Sequence, residues 1–172
     1  MIVAGKFEKV SPARFRKDWA DTFSEKSDEL TASIYNGIRL PRRATAGSAG
    51  YDFYSPLDFV LAPGETIMIP TGIRSKINDG WVLMIFPRSG LGFKYRIQLN
   101  NTVGIIDSDY YGSDNEGHIF IKITNDSNER KTLSLKRGDG FAQGVFLPFG
   151  ITSDEEVTGI RNGGFGSTGG AK

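Results

Sequence analysis

The sequence predicts an all-β domain of the sandwich, jelly-roll or barrel kind. Three observations lead there. Short apolar or alternating runs recur from about residue 34 onward. Gly, Pro, Asn and Asp separate them, and 22 glycines in 172 residues argue for many tight turns. No helical pattern alternates with these runs, so a doubly wound parallel sheet is disfavoured.

The elements follow in chain order. Ser11-Pro12 reads as an N-cap followed by proline at the first helical position. Phe15, Trp19 and Phe23 then recur every four residues, which places three aromatics on one helical face. Such a helix either packs on its own domain or serves as a partner-binding or inter-subunit element. The predicted strands are Thr66–Pro70, Gly72–Ile77, Trp81–Pro87, Gln98–Ile106, Ile119–Asn125, Thr132–Leu135 and Phe141–Pro148. Pro63-Gly64 and Asp79-Gly80 are turn signals. Arg161–Gly169 has no hydrophobic periodicity, a composition that ordinarily stays disordered. The expected organisation is a helical extension over 1–33, a β domain over 34–160 and a flexible C-terminal arm over 161–172.

Composition narrows the chemistry. A chain of 172 residues suggests one domain. The net charge of +1 gives no electrostatic case for nucleic-acid binding. The absence of cysteine excludes disulfides, a thiolate nucleophile and cysteine-ligated metal. His118 is the one histidine, so a multi-histidine metal site is excluded too. Any metal is then held by oxygen, which favours Mg²⁺. Residues 1–33 carry six basic and six acidic side chains, unlike the acid-poor transit peptides. The sequence has no signal peptide and no run of about 18 apolar residues, so a cytoplasmic protein off the membrane is expected.

Asn101–Gly112, NTVGIIDSDYYG, carries the strongest chemical signal. Val103, Ile105 and Ile106 read as buried strand, so the chain emerges from a core at Asp107. A carboxylate at the mouth of a rigid apolar hairpin can act as a general base. On an extended segment Asp107 and Asp109 would point one way and Ser108 and Tyr110 the other. The alternative is a solvated Asx-turn pair. Arg88, Ser89 and Gly90 follow a strand that Pro87 should end, and a turn there exposes N–H groups that can cradle phosphate. A plain surface turn is the alternative. Arg161–Gly170 combines a basic residue, an aromatic and two hydroxyls on a glycine-rich tail, the composition of a phosphate clamp.

These segments belong to a set of five in a fixed order: Gly47–Ser55 (GSAGYDFYS), Pro87–Gly92 (PRSGLG), Asn101–Gly112, Gly138–Gln143 (GDGFAQ) and Arg161–Gly169 (RNGGFGSTG). Together they resemble the motifs of the homotrimeric dUTPase family, from about Leu40 to the C-terminus. The resemblance leaves roughly the first 33 residues uncovered. It implies a distorted jelly roll (β-clip) and hydrolysis of dUTP to dUMP and pyrophosphate.

The resemblance also implies roles. Asp107 would deprotonate the attacking water and meet the sugar 3′-hydroxyl, with Asp109 structural. Tyr110 would pack under the deoxyribose and exclude a 2′-hydroxyl. Asn101 and the backbone of Gly104, Ile105 and Ile106 would read uracil. Arg88, Ser89 and Gly90 would hold phosphates, with Ser89 on the oxygen between the α- and β-phosphorus atoms. Asp52 and Gln143 would lie near the triphosphate, Asp52 meeting Mg²⁺ through water. Phe165 would stack on uracil, while Arg161, Gly166, Ser167 and Thr168 would close over the phosphates. The arm would cross to a neighbouring subunit, so each site of the homotrimer would draw on three chains.

Three departures stand out. Gly140 occupies a position where the family usually has arginine or lysine. Residues 113–118, SDNEGH, form an acidic insert before the strand at Ile119. The segment Gly92–Arg96 also differs. Two other functions compete: a dCTP deaminase-like enzyme and a dUTPase-like module with a partner-binding role. The deaminases have a glutamate base in the strand matching Ile119–Asn125, where this chain has Lys122, a residue charged at neutral pH. The intact Asp107, Tyr110 and arm argue against an idle module.

Overall fold

The computed structural model describes residues 2–154 and Gly159. Every strand pairing among the described residues is antiparallel. The largest sheet has five strands. Its spatial order is β2 (Arg42–Arg43), β3 (Tyr51–Tyr54), β12 (Gly140–Pro148), β7 (Trp81–Pro87) and β9 (Gly104–Ile106). A three-stranded sheet runs β5 (Thr66–Pro70), β10 (Phe120–Asn125), β8 (Ile97–Leu99). Two pairs complete the shell, β1 (Gly5–Lys9) with β6 (Ile73–Ile77) and β4 (Phe59–Leu61) with β11 (Leu133–Leu135). The all-β jelly-roll-like class is as expected.

Alternation explains the core. On β10, Ile121, Ile123 and Asn125 are buried while Lys122 is exposed. Asn125 stays in the interior because its amide donates to the carbonyls of Leu61 and Lys131 and its oxygen accepts from the Ser127 N–H. Phe53, Ile69, Leu83, Ile85 and Phe141 fill the space between the sheets.

The predicted helix is α1 (Pro12–Phe23), with Ser11 Oγ accepting from the Arg14 N–H. Ser24 ends it in the left-handed conformation. Phe15 and Trp19 are buried, and their ring centroids lie 5.2 Å apart. Burial of each such side chain contributes on the order of 1.5–3 kcal/mol. The aromatic face therefore packs on its own domain. The rest of the N-terminal segment differs from a simple helical extension. Residues 5–9 form strand β1, and a second helix, α2 (Asp28–Asn36), runs past residue 33.

The expected strand Gln98–Ile106 is two strands. Thr102 adopts φ 64° between them, β8 joins β10 and β9 joins β7. The Asn100–Val103 turn thus bridges two sheets. Strands β2, β3 and β4 carried too little alternation to be predicted. No described helix is long and apolar enough to cross a membrane.

Candidate active site

Ten of the predicted residues line two pockets, and Asp107 lines neither. The first is a cleft of about 470 Å³ lined by Asn101, Gly104, Ile105, Ile106 and Tyr110, with Leu99 and Ile121 deeper in its wall. Strand β9 lies at the edge of its sheet. One row of its backbone N–H and C=O groups therefore faces away from β7, where it can read a planar base. Gly104 lets β9 pack closely on β7, because a Cβ there would sit 3.1 Å from Cβ of Ile85.

Asp107 leaves β9 in extended conformation and is half-buried. The next residues, Ser108–Gly112, form a 3-10 helix. The expectation that Asp107 and Asp109 project alike from an extended segment is therefore incorrect. The chain turns after Asp107, and its carbonyl accepts from the Tyr110 N–H at 3.2 Å. Asp109 is exposed and Tyr110 is buried. The Tyr110 hydroxyl donates to the carbonyl of His118 at 2.7 Å and accepts from Nδ2 of Asn115 at 2.7 Å. Its ring is a fixed wall of the cleft.

The second pocket, about 270 Å³, is lined by Asp52, Arg88, Ser89, Gly90 and Gln143, together with Ser48 and Gly50. Asp52 comes from β3 and Gln143 faces it across the β12 pairing. The expected turn at Arg88-Ser89-Gly90 is the start of a helix, α3 (Ser89–Tyr95), with Arg88 at its N-cap. The first N–H groups of a helix have no intrahelical acceptor and attract anions. Strand pairing ends at Pro87, the last residue of β7 in register with β12, and its carbonyl accepts from Nε2 of Gln143 at 3.0 Å. Arg88 Nε meets Oδ1 of Asp52 at 3.0 Å, and its Nη1 donates to the carbonyl of Gly140 at 3.1 Å.

The two pockets share no lining residue. One is lined mostly by apolar side chains; the other holds the Arg88–Asp52 ion pair together with hydroxyl and amide groups. Arg161, Phe165, Gly166, Ser167 and Thr168 lie outside the described residues. Among the described residues no three His, Cys, Asp or Glu side chains converge on a common point.

Sequence reasoning missed the groups behind Tyr110. His118 is fully buried, with Nδ1 2.6 Å from Oδ2 of Asp18 on α1. Its Nε2 accepts from the Gly72 N–H at 2.7 Å, so the ring proton sits on Nδ1. Burial pushes its pKa down, outweighing the Asp18 carboxylate that pulls it up. Nearby, Glu8 accepts from Lys6, Tyr111 and Arg74, which together hold its pKa down at about 2. The acidic insert was the one sequence signal pointing to this region.

The dUTPase family model matches residues 36–169. The chain is 42% identical over 136 residues to the deoxyuridine 5′-triphosphate nucleotidohydrolase of Lactococcus lactis, covering 77% of this chain and 89% of the relative. The crystal structure of dUTPase from Streptococcus mutans is similar with a TM-score of 0.61 at 32% identity, covering 86% of this chain and 98% of that one. A mutant dUTPase from phage phi11 of S. aureus, solved with a coordinated structural Mg(II) ion, has a TM-score of 0.57 at 26% identity, covering 72% and 92%.

Proposed function

Because the chain belongs to the dUTPase family, we propose that its two pockets are complementary parts of a dUTP site completed between subunits. The enzyme is a dUTP diphosphatase, which hydrolyses dUTP to dUMP and pyrophosphate. The observation that carries the division of labour is the separation itself. Base-reading backbone and Asp107 lie at the β9 edge, whereas Arg88, Ser89, Gly90 and Gln143 line a different pocket on the same chain. A homotrimer in which one chain's cleft faces another's phosphate pocket resolves that separation, and residues 161–172 of a third chain close it.

In this reading uracil sits on the β9 edge with Asn101 as amide partner. The Tyr110 ring lies under the deoxyribose and leaves no space for a 2′-hydroxyl. Asp107 orients a water and takes its proton as the oxygen attacks the α-phosphorus. Arg88, the Ser89 hydroxyl and the α3 N–H groups receive charge that develops on the leaving pyrophosphate.

The residues present fit a Mg²⁺ ion that arrives on the phosphates. Asp52 places one carboxylate on the pocket wall, and its Oδ1 is already engaged by Arg88. Asp52 therefore suits contact through water. Mg²⁺ bound with nucleotide supplies charge neutralisation at the phosphate oxygens.

Hydrolysis of dUTP in ¹⁸O-water tests the mechanism. Attack at the α-phosphorus puts the label in dUMP. Label in pyrophosphate would overturn that assignment.

A further inference from the structure

Helix α1 lies outside the residues that match the family model, yet it reaches the substrate cleft through three tethers. All three run to the acidic insert, residues 113–118. Ser11 donates from both its N–H and its hydroxyl to the Glu116 carboxylate, each at 2.7 Å. Arg14 donates to the Asp114 carbonyl at 2.8 Å. Asp18 accepts from His118 Nδ1 at 2.6 Å.

The insert in turn lies against Tyr110. Its Asn115 amide and His118 carbonyl both bond the Tyr110 hydroxyl. Gly117, at φ +70°, approaches so closely that a Cβ there would be 2.8 Å from the Tyr110 carbonyl oxygen. Strand β1 holds the adjacent residue, since the Tyr111 hydroxyl donates to Glu8 at 2.6 Å. Both tyrosines that follow Asp107 are therefore anchored by residues 8–18 through side chains a hundred positions away in sequence.

We propose that α1 is part of the specificity apparatus, with Asp18 acting through His118, and Ser11 acting through Glu116, as positioning residues for the Tyr110 ring. The proposal rests on the reading of Tyr110 as the surface that meets the sugar. A ring held by two hydrogen bonds excludes a hydroxyl sharply. A ring whose anchoring loop has slackened can retreat and admit one. Loss of the tethers should therefore relax discrimination between dUTP and UTP more than it slows turnover of dUTP.

The test uses the full-length enzyme and measures kcat and KM for both nucleotides. Asp18→Ala removes the acceptor for His118, whereas Asp18→Asn keeps an acceptor oxygen of the same shape. Asp18→Ala should lower the dUTP-to-UTP ratio of kcat/KM roughly tenfold, by improved use of UTP, with kcat for dUTP changed little. Asp18→Asn should recover most of the ratio. A merely structural role would lower both nucleotides' kcat/KM together. Glu116→Ala cuts the second tether at a half-buried position, so the test stands even where Asp18→Ala fails to fold. Tyr110→Leu supplies the reference. If it lowers the ratio while folded Asp18→Ala and Glu116→Ala leave it at the wild-type value, the positioning role is overturned and the sugar role of Tyr110 stands. If Tyr110→Leu also leaves the ratio unchanged, the sugar reading fails and the proposal falls with it.

Discussion

Nη1 of Arg88 donates to the carbonyl oxygen of Gly140 at 3.1 Å, and a Cβ at residue 140 would lie 2.7 Å from that nitrogen. The glycine that departs from the usual basic residue is thus the floor on which the Arg88 guanidinium rests. From there Nε reaches Asp52. A side chain at 140 would push the guanidinium away while leaving the strand intact, since the clash is with a flexible end. Gly140→Ala should keep its thermal midpoint near wild type and lose roughly tenfold in kcat/KM for dUTP, about what one charge-assisted hydrogen bond is worth. Unchanged kinetics would remove Arg88 from the phosphate contacts.

Asp107→Asn keeps the shape of the side chain and removes the proposed base. The rate of dUTP hydrolysis should fall roughly 10²–10⁴-fold. Binding of a non-hydrolysable dUTP analogue, followed by calorimetry, should stay within a few-fold. Near-normal turnover would assign proton removal elsewhere.

The buried hydrophobic core among the described residues ends at Ala142. Deleting residues 161–172 should therefore preserve the fold and the assembly state seen by analytical ultracentrifugation, while activity drops sharply. Mixing arm-deleted chains with Asp107→Asn chains should restore part of the activity, because one chain supplies the arm and the other the base. Verified subunit exchange without recovery would show that the arm does not act across subunits.

Stability should respond to pH through His118. The unfolded imidazole binds a proton near 6.5, and the folded one binds it only at lower pH. Its contribution is thus complete above pH 6.5 and is lost as pH falls through the lower folded value. Glu8, held at about 2 from an ordinary 4.5, keeps its contribution until pH drops below 4.5. Urea midpoints between pH 7.5 and 5 should fall for wild type and flatten in His118→Gln. Equal slopes for both proteins would place the titrating group elsewhere.

Local signals were legible in the chain itself. Ser11-Pro12 marks the start of α1 because capping needs only residues one turn away. The strands β5, β7 and β10 show in their apolar runs, because each reports its own burial. The five ordered motifs identified the family and ten of the residues that line the two pockets. Other features had no local cause. Gln98–Ile106 reads as one apolar run, and only the competing partners β10 and β7 break it at Thr102. The segment after Asp107 looks extended in sequence, yet it forms a 3-10 helix against which Gly117 of the insert packs closely. His118 and Asp18 carry no mutual signal, since hydrogen bonds across a hundred residues exist only once the sheets have closed around them. Periodicity records which face of a segment is buried. Which other segment buries it is decided by packing of the whole chain, and here that packing joins the N-terminal helix to the loop that holds Tyr110.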